Sequence, residues 1–326
     1  MIVYNHPRRH VGEVSNLTGS EPSGIRRLLG QVVAVNDLDR AIESFQMLGL
    51  VLSDRSVRGD IGLDTATFGF AGGSYLELVT PIDDDAGVGG TVRGFLDKRG
   101  EGPYLTCFEV DDVFAAHDRL VAAGVAVVGP PQAPPPERGI ACDVLWLKPR
   151  ATAGAFMQLL SFRAPAHQEP THTVGMRLFT HVITAAEMVP ALDSFASLGL
   201  TPWAIYQTKQ WGLETAVLRL PDATNLEIVS PRDTSRSAAA AVAKTMSSRG
   251  GHGHYMTVFE SADVEALAVQ FERDGVPTLG RPVAAPPESP WGSCRQMWVH
   301  PRVTHGAFIE FLTLPSPVAA TDGSGV

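Results

Sequence analysis

One carboxylate lies within an apolar strand near the C-terminal end of the sequence. Glu310 is surrounded by Phe308, Ile309, Phe311 and Leu312, which predict a buried strand. Burying an unpaired charge is costly, so a buried carboxylate is expected to pair with a cation or to bind a metal. The stretch 298–311 occurs a second time at 146–159, where Gln158 replaces the carboxylate. We therefore expect one copy to hold a cation and the other not to.

The repeated stretch belongs to a duplication of most of the sequence. Residues 31–50 match residues 181–200, and residues 62–66 match residues 212–216. A repeat of this length indicates two similar halves, each of which must form its own core.

Each half in turn contains two copies of a strand followed by a helix and about three further strands. Apolar residues at i, i+3 and i+4 predict helices at 38–48, 113–123, 188–198 and 264–274. Each helix ends at a glycine suited to the left-handed C′ position: Gly49, Gly124, Gly199 and Gly275. One such unit cannot bury its apolar sheet face alone. We therefore predict an α+β fold in which four βαβββ modules pair into two cup-shaped half-barrels.

Breaks in this pattern suggest the domain boundaries. We predict an N-terminal arm (1–27), a first domain (28–163), a linker (164–175), a second domain (176–314) and a disordered tail (315–326). Short helices near 87–102 and 237–251 are expected to join the two modules within each half.

Composition limits the possible partners. The net charge of −9 argues against nucleic acid or an anionic membrane as the main partner. No apolar run approaches the ~18 residues that a membrane helix needs, and nothing suggests export, so we expect a cytoplasmic protein. The three cysteines show no CxxC spacing and are expected to be reduced, buried thiols. A small-molecule substrate and a monomer or homodimer are the remaining expectations.

This modular pattern resembles the vicinal oxygen chelate superfamily, which includes glyoxalase I, methylmalonyl-CoA epimerase, extradiol dioxygenases and bleomycin-resistance proteins. The run His300-Pro301-x-x-Thr304-x-Gly306-x-x-x-Glu310 is similar to the final loop and strand of the epimerases, which ends in a metal-binding glutamate. The segment 100–112 is similar to the epimerase segment in which a histidine-bearing strand leads into a helix. The resemblance covers roughly residues 28–313.

The resemblance implies one divalent metal per chain, held in the second cup. Its expected ligands are His181 on the first strand, His254 on a middle strand and Glu310 on the last. Met256 aligns with the middle ligand, and a bulge could bring His254 to the metal instead. Two histidines and a carboxylate suit Fe, Mn, Co, Ni or Zn. The first cup has Gln31 and Gln158 at the matching positions and is expected to be metal-free.

The resemblance also suggests residues for catalysis and substrate binding. Glu310, Glu227 and Glu214 are candidate bases, although Glu227 could instead form a structural ion pair with Arg150 or Arg302. The expected substrate-binding residues are Trp203, Tyr206, Trp211, Tyr255 and His305.

Three functions remain open from the sequence. The first is a metal-dependent isomerase, epimerase or lyase that stabilises an enolate formed by proton removal from a small oxygenated substrate. The second is an extradiol-type Fe(II) dioxygenase. The third is a protein that binds a small molecule without turning it over, as resistance proteins do.

Overall fold

The computed structural model describes residues 24–133, 142–163, 172–248 and 252–315. Most of the predicted N-terminal arm, linker and tail therefore lies outside the described residues. Within them the chain forms one sheet of seven strands and one of eight.

The first sheet is built from the first half of the sequence. Its strands are β1 (Ile25–Ala34), β2 (Leu52–Arg58), β3 (Leu63–Gly69), β4 (Tyr75–Pro81), β5 (Gly102–Val110), β6 (Cys142–Leu147) and β7 (Met157–Phe162). Their spatial order is β2-β3-β4-β1-β5-β7-β6. β1 and β5, the first strands of the two modules, are antiparallel neighbours, and each also pairs in parallel with the last strand of its own module. Two modules thus share one continuous sheet.

The second sheet repeats this connectivity. Its strands are β8 (Met176–Thr184), β9 (Ala204–Thr208), β10 (Leu213–Arg219), β11 (Asn225–Pro231), β12 (Gly253–Ser261), β13 (Val283–Ala284), β14 (Arg295–Val299) and β15 (Phe308–Thr313). Their order is β13-β14-β15-β12-β8-β11-β10-β9, which confirms the predicted duplication.

The helices lie close to their predicted positions. They are α1 (Leu38–Gln46), α2 (Gly87–Arg99), α3 (Val113–Ala122), α4 (Met188–Ala196), α5 (Ser237–Ser248) and α6 (Val264–Asp274). Asp37, Asp112 and Asp263 cap α1, α3 and α6 by accepting hydrogen bonds from first-turn N–H groups. The glycines predicted to end α1, α3, α4 and α6 all have positive φ, as the left-handed position requires.

The two faces of each sheet bury different cores. The convex faces pack against α1, α3, α4 and α6 and against the other half in one shared cluster, which includes Phe45, Phe195 and Phe271. The concave faces enclose separate clusters, which we name the first cup (strands β1–β7) and the second cup (strands β8–β15). The predicted α+β fold with two half-barrels is confirmed.

All three cysteines are buried and free, as expected. In the described part of the chain, no helix is both long enough and apolar enough to cross a membrane.

Candidate active site in the second cup

Strand register decides which side chains enter the second cup. Residues paired directly across neighbouring strands share a face of the sheet, and successive residues alternate. Val182 and Leu312 belong to the core cluster of the second cup. Glu227 is paired with Val182, and Glu310 lies two residues before Leu312 on β15. Both carboxylates therefore face into the second cup.

Each of these carboxylates accepts a hydrogen bond from an indole. Trp298 Nε1 donates to Glu310 Oε2 over 3.0 Å, and Trp291 Nε1 donates to Glu227 Oε1 over 3.3 Å. Within the described residues neither carboxylate has a salt bridge to Arg, Lys or His. The expected ion pair of Glu227 with Arg150 or Arg302 is therefore not formed.

Burial without a cationic partner makes both groups weak acids. Desolvation and, to a smaller extent, the nearby charge of Glu227 raise the pKa of Glu310 to about 8, while the hydrogen bond from Trp298 acts in the opposite direction. Desolvation also raises the pKa of Glu227 to about 7, while the hydrogen bond from Trp291 acts in the opposite direction. At neutral pH the second cup thus holds acidic groups poised to gain or lose a proton.

Aromatic side chains surround the carboxylates. Trp291 packs against Trp203, with ring centroids 5.6 Å apart, and edge-to-face against Phe179 at 5.1 Å. Trp211 packs edge-to-face against Trp298 at 5.9 Å. This arrangement provides an apolar wall with indole donors directed at the two carboxylates.

Tyr206 adds a hydroxyl to the same region. Burial is the main reason that its pKa is raised, and the charge of Glu227 contributes. Its hydroxyl interacts with those of Thr215 and Ser289, both of which are buried. Because a raised pKa keeps the phenol protonated, Tyr206 remains a hydrogen-bond donor near the carboxylate pair.

The first cup lacks this chemistry. Glu77, the counterpart of Glu227, forms a salt bridge of 3.1 Å with Arg58. Gln158, the counterpart of Glu310, accepts a hydrogen bond from the Cys107 thiol at 3.4 Å. In the first cup the carboxylate is neutralised by an arginine and the other position holds an uncharged amide. The second cup differs because both of its carboxylates lack a cationic partner among the described residues.

The histidines predicted as metal ligands face away from the second cup. His181 pairs with Thr257, and Glu310 pairs with the next residue, Val258. Neighbouring residues of a strand point to opposite faces, so His181 and Glu310 are on opposite sides of the sheet. His254 pairs with Ile183, which puts it on the same side as His181.

The structure therefore does not bring the three predicted metal ligands together on one face of the sheet. In the parts of the chain that the structure describes, no group of three His, Cys, Asp or Glu side chains could hold a metal ion. A bulge does occur next to His254, as the sequence analysis allowed, but the histidine stays on the convex face. The donors in the second cup do not fit the metal that the resemblance implies.

The two histidines instead contact each other and the first half. The Phe156 N–H donates to His254 Nε2 over 3.1 Å, so a neutral His254 carries its proton on Nδ1. His254 Nδ1 lies 2.9 Å from His181 Nε2 and 3.2 Å from Thr106 Oγ1. The His181 Nδ1 atom is buried without a hydrogen-bond partner among the described residues. This histidine pair belongs to the packing between the two halves.

Replacing His181 with Gln tests this structural role. Burial, together with the charge of His254, holds the pKa of His181 well below its usual range. Below about pH 6.5, His181 binds a proton in the unfolded chain but not in the folded protein. The free energy of unfolding therefore decreases as the pH falls. We expect the wild type to lose more thermal stability between pH 7 and pH 5 than His181→Gln does.

The duplicated half supplies the precedent for this variant. Gln31, the counterpart of His181, is fully buried and donates to the Leu105 carbonyl over 3.0 Å. Melting temperatures of both proteins at the two pH values are the measurement. An equal loss in both would contradict a buried, uncharged His181.

Two other predicted site residues lie away from the carboxylate pair. Thr215 is paired with Tyr206 and shares its face of the sheet, inside the cup. Glu214 is the residue before Thr215, so its side chain points to the opposite face. There it forms an ion pair with Arg232 and accepts a hydrogen bond from Gln207 over 3.3 Å, so the structure does not bring it to the carboxylate pair. His305 contacts Glu101 and Ser44 of the first half rather than the second cup.

Tyr255 packs edge-to-face against Phe308 at 5.4 Å, beside the core of the second cup. Trp291 and Trp298 were not among the residues predicted for the site. The signal for Trp291 was its position in the Pro-rich loop between β13 and β14. The signal for Trp298 was its pairing with Glu310 on the neighbouring strand, which only the register reveals.

Comparison with known proteins gives three findings. The chain is 33% identical over 138 residues to an ethylmalonyl-CoA/methylmalonyl-CoA epimerase of Cereibacter sphaeroides, across 97% of that protein and 41% of this chain. A mutant of 4-hydroxymandelate synthase from Streptomyces coelicolor has a similar structure, with a TM-score of 0.68 and 14% identity, over 90% of this chain and 94% of that one. Methylmalonyl-CoA epimerase from Mycobacterium tuberculosis matches 44% of this chain and 91% of its own, with 27% identity and a TM-score of 0.38.

These relatives are enzymes, and the synthase shows the same fold across both halves. Residues 31–142 also match the Glyoxalase/Bleomycin resistance protein/Dioxygenase superfamily. With the epimerase covered almost end to end, the chain belongs to this superfamily, whose members share the vicinal oxygen chelate fold.

Proposed function

We propose that the second cup is the active site of an isomerase or epimerase that moves a proton at a carbon next to a carbonyl group. The observation that supports this most directly is the pair Glu227 and Glu310. Glu310 is buried and Glu227 is partly buried, and both lie in one aromatic cup without a cationic partner among the described residues. The epimerase relative is consistent with this reaction class.

The two carboxylates can divide the work of proton transfer. With pKa values of about 7 and about 8, the pair can hold one ionised and one protonated carboxylate between those two pH values. The ionised carboxylate removes the proton from carbon, and the protonated one returns a proton to the resulting enolate. General bases are most effective when their pKa lies near the working pH. The Tyr206 hydroxyl and the indole N–H groups are donors available to the enolate oxygen.

The substrate must enter a cup that is lined by indoles. Trp203 is partly exposed and stacks beneath the Arg219 guanidinium at 5.0 Å, while Trp291 covers the inner wall. A small, oxygenated molecule with an apolar face and an acidic C–H bond matches this lining. Trp291 lies on a loop, so displacement of this loop is the expected route of entry.

Proton exchange measured in D₂O tests the proposal directly. Small carbonyl compounds, including acyl thioesters, are incubated with the protein, and loss of the α-proton signal is followed by NMR. Exchange that depends on Glu310 supports the proposal. Absence of exchange across the carbonyl classes would overturn it.

Metal dependence separates this proposal from the metal-assisted alternatives. The donors in the second cup do not fit a metal, so we expect proton exchange to survive chelation and the purified protein to contain much less than one divalent metal per chain. Elemental analysis, with exchange assays before and after EDTA, is the measurement. One metal per chain, lost in Glu310→Gln, would show that the carboxylates hold a cation.

Binding without turnover is the second candidate function, because the aromatic lining suits a planar ligand. Quenching of tryptophan fluorescence by a compound that shows no exchange would support it. The dioxygenase alternative required His181 and His254 to hold iron inside the cup, and both lie on the other face of the sheet. We therefore do not propose it.

A further inference from the structure

Three side chains from separate parts of the chain meet where the two halves pack together. Ser44 lies on α1, Glu101 precedes β5, and His305 lies in the loop before β15. His305 Nε2 is 3.2 Å from Ser44 Oγ, and His305 Nδ1 is 2.9 Å from Glu101 Oε2. Only 9% of the His305 side chain is exposed, so the imidazole is held between its two partners.

The hydrogen bonds assign a direction to this array. The Asn36 N–H donates to Glu101 Oε1 over 2.8 Å and fixes the carboxylate in place. Glu101 Oε2 then accepts the Nδ1–H proton of His305, which leaves the Nε2 lone pair directed at the Ser44 hydroxyl. A hydroxyl, an imidazole base and a carboxylate that orients the imidazole are the parts of a serine nucleophile site, which is recognised by geometry rather than by sequence order.

A pocket gives access to this array. It has a volume of about 240 Å³ and is lined by Ser44 and His305 together with Arg40 and Arg302. Neither guanidinium forms a salt bridge with other described residues, and both arginines are exposed. Their positive charge suits a substrate with a carboxylate, and it also favours the oxyanion that forms when a hydroxyl attacks a carbonyl.

The duplication shows that these contacts are not required by the fold. Ser194, the counterpart of Ser44, donates to the Pro190 carbonyl over 3.0 Å, just as Ser44 can donate to the Arg40 carbonyl over 2.9 Å. The counterpart of His305 is Ala153, and both residues have positive φ, 52° for His305 and 46° for Ala153. Alanine therefore suffices for the loop, and the histidine is specific to the Ser44 site.

We propose that Ser44, His305 and Glu101 form a second active site that hydrolyses small esters or thioesters bearing a negative charge. Ser44 Oγ forms a bond to the acyl carbon while His305 Nε2 takes the hydroxyl proton. The ester or thioester bond breaks, and His305 returns that proton to the leaving alcohol or thiol. Water, with His305 again as base, then releases the acid and restores Ser44. Glu101 acts as a positioning residue through His305.

Labelling with a fluorophosphonate tests the nucleophile without a known substrate. The reagent forms an O–P bond to an activated serine and releases fluoride, and peptide mass spectrometry locates the adduct. We expect one adduct, on Ser44, in the full-length protein. His305→Ala, which copies Ala153, should slow labelling by about 10²-fold or more, because a general base contributes about 10²–10⁴-fold.

Matched variants distinguish this proposal from a structural role. Ser194→Ala should label like the wild type, and so should Glu310→Gln, which belongs only to the proposed function of the second cup. Glu101→Gln should slow labelling because the amide no longer orients the imidazole as the carboxylate does, and Glu101→Asp, which keeps a carboxylate, should restore part of the rate. An unlabelled Ser44 in the folded wild type, or equal labelling of Ser194, would overturn the proposal.

Discussion

Glu310→Gln is expected to slow α-proton exchange by about 10²–10⁴-fold, the usual contribution of a general acid or base. The variant removes the only ionisation of that side chain while keeping its shape and one oxygen that can accept from the Trp298 indole. The rate is measured by NMR in D₂O with the carbonyl compound that the wild type exchanges fastest. Glu227→Gln should reduce exchange as well, because the two carboxylates exchange the roles of acid and base.

The first cup supplies the matched control for this experiment. Glu77→Gln removes the counterpart of Glu227, which forms a salt bridge with Arg58. It is expected to leave the exchange rate unchanged, although the protein loses a partly buried ion pair. Equal rates in the wild type and Glu310→Gln would remove Glu310 from the mechanism. Equal losses in Glu77→Gln and Glu310→Gln would indicate a general effect on folding.

The fold could be predicted because its signals are local and repeated. The positions of Gly49, Gly124, Gly199 and Gly275 marked four helix ends, and left-handed φ values at those positions follow from the lack of a side chain. The duplication then fixed the number of modules, and each unpaired apolar sheet face required a second module to cover it. These inferences need no knowledge of register.

The histidine ligands could not be predicted in the same way, since a strand side chain changes face with every residue. The predicted ligand on the first strand is His181, but the residue of β8 that shares the face of Glu310 is the preceding Thr180. A shift of one residue in alignment was enough to move the side chain out of the cup. Bulges between β8 and β12 make the facing direction harder still to read from the sequence.

The Ser44 site could not have been found from the sequence because its parts are far apart in the chain. Ser44 and His305 are separated by 261 positions, and Glu101 and His305 by 204. They meet only when the two halves pack together. The one available signal was the difference between His305 and Ala153 in otherwise matching loops, which indicated a specific role for His305 but not its partner.

Buried carboxylates also predict how stability changes with pH. The pKa of Glu310 is raised from its ordinary value of 4.5 to about 8 in the folded protein. The folded state therefore holds a proton that the unfolded chain releases, so stability from this group is complete below about pH 4.5 and is lost as the pH rises towards 8. Each pKa unit corresponds to about 1.4 kcal/mol, so the loss amounts to several kcal/mol at most.

The glutamine of Glu310→Gln cannot ionise. We therefore expect this variant to become more stable relative to the wild type as the pH rises from 5 to 8.5. The difference between the two melting temperatures at each pH is the measurement, and His181 contributes equally to both proteins. Glu227→Gln should behave alike with a smaller change, because the pKa of Glu227 is raised only to about 7. A difference that stays constant with pH would mean that Glu310 is ionised in the folded protein and therefore held by a cation. Repeating the measurement after chelation would then identify that cation as a bound metal.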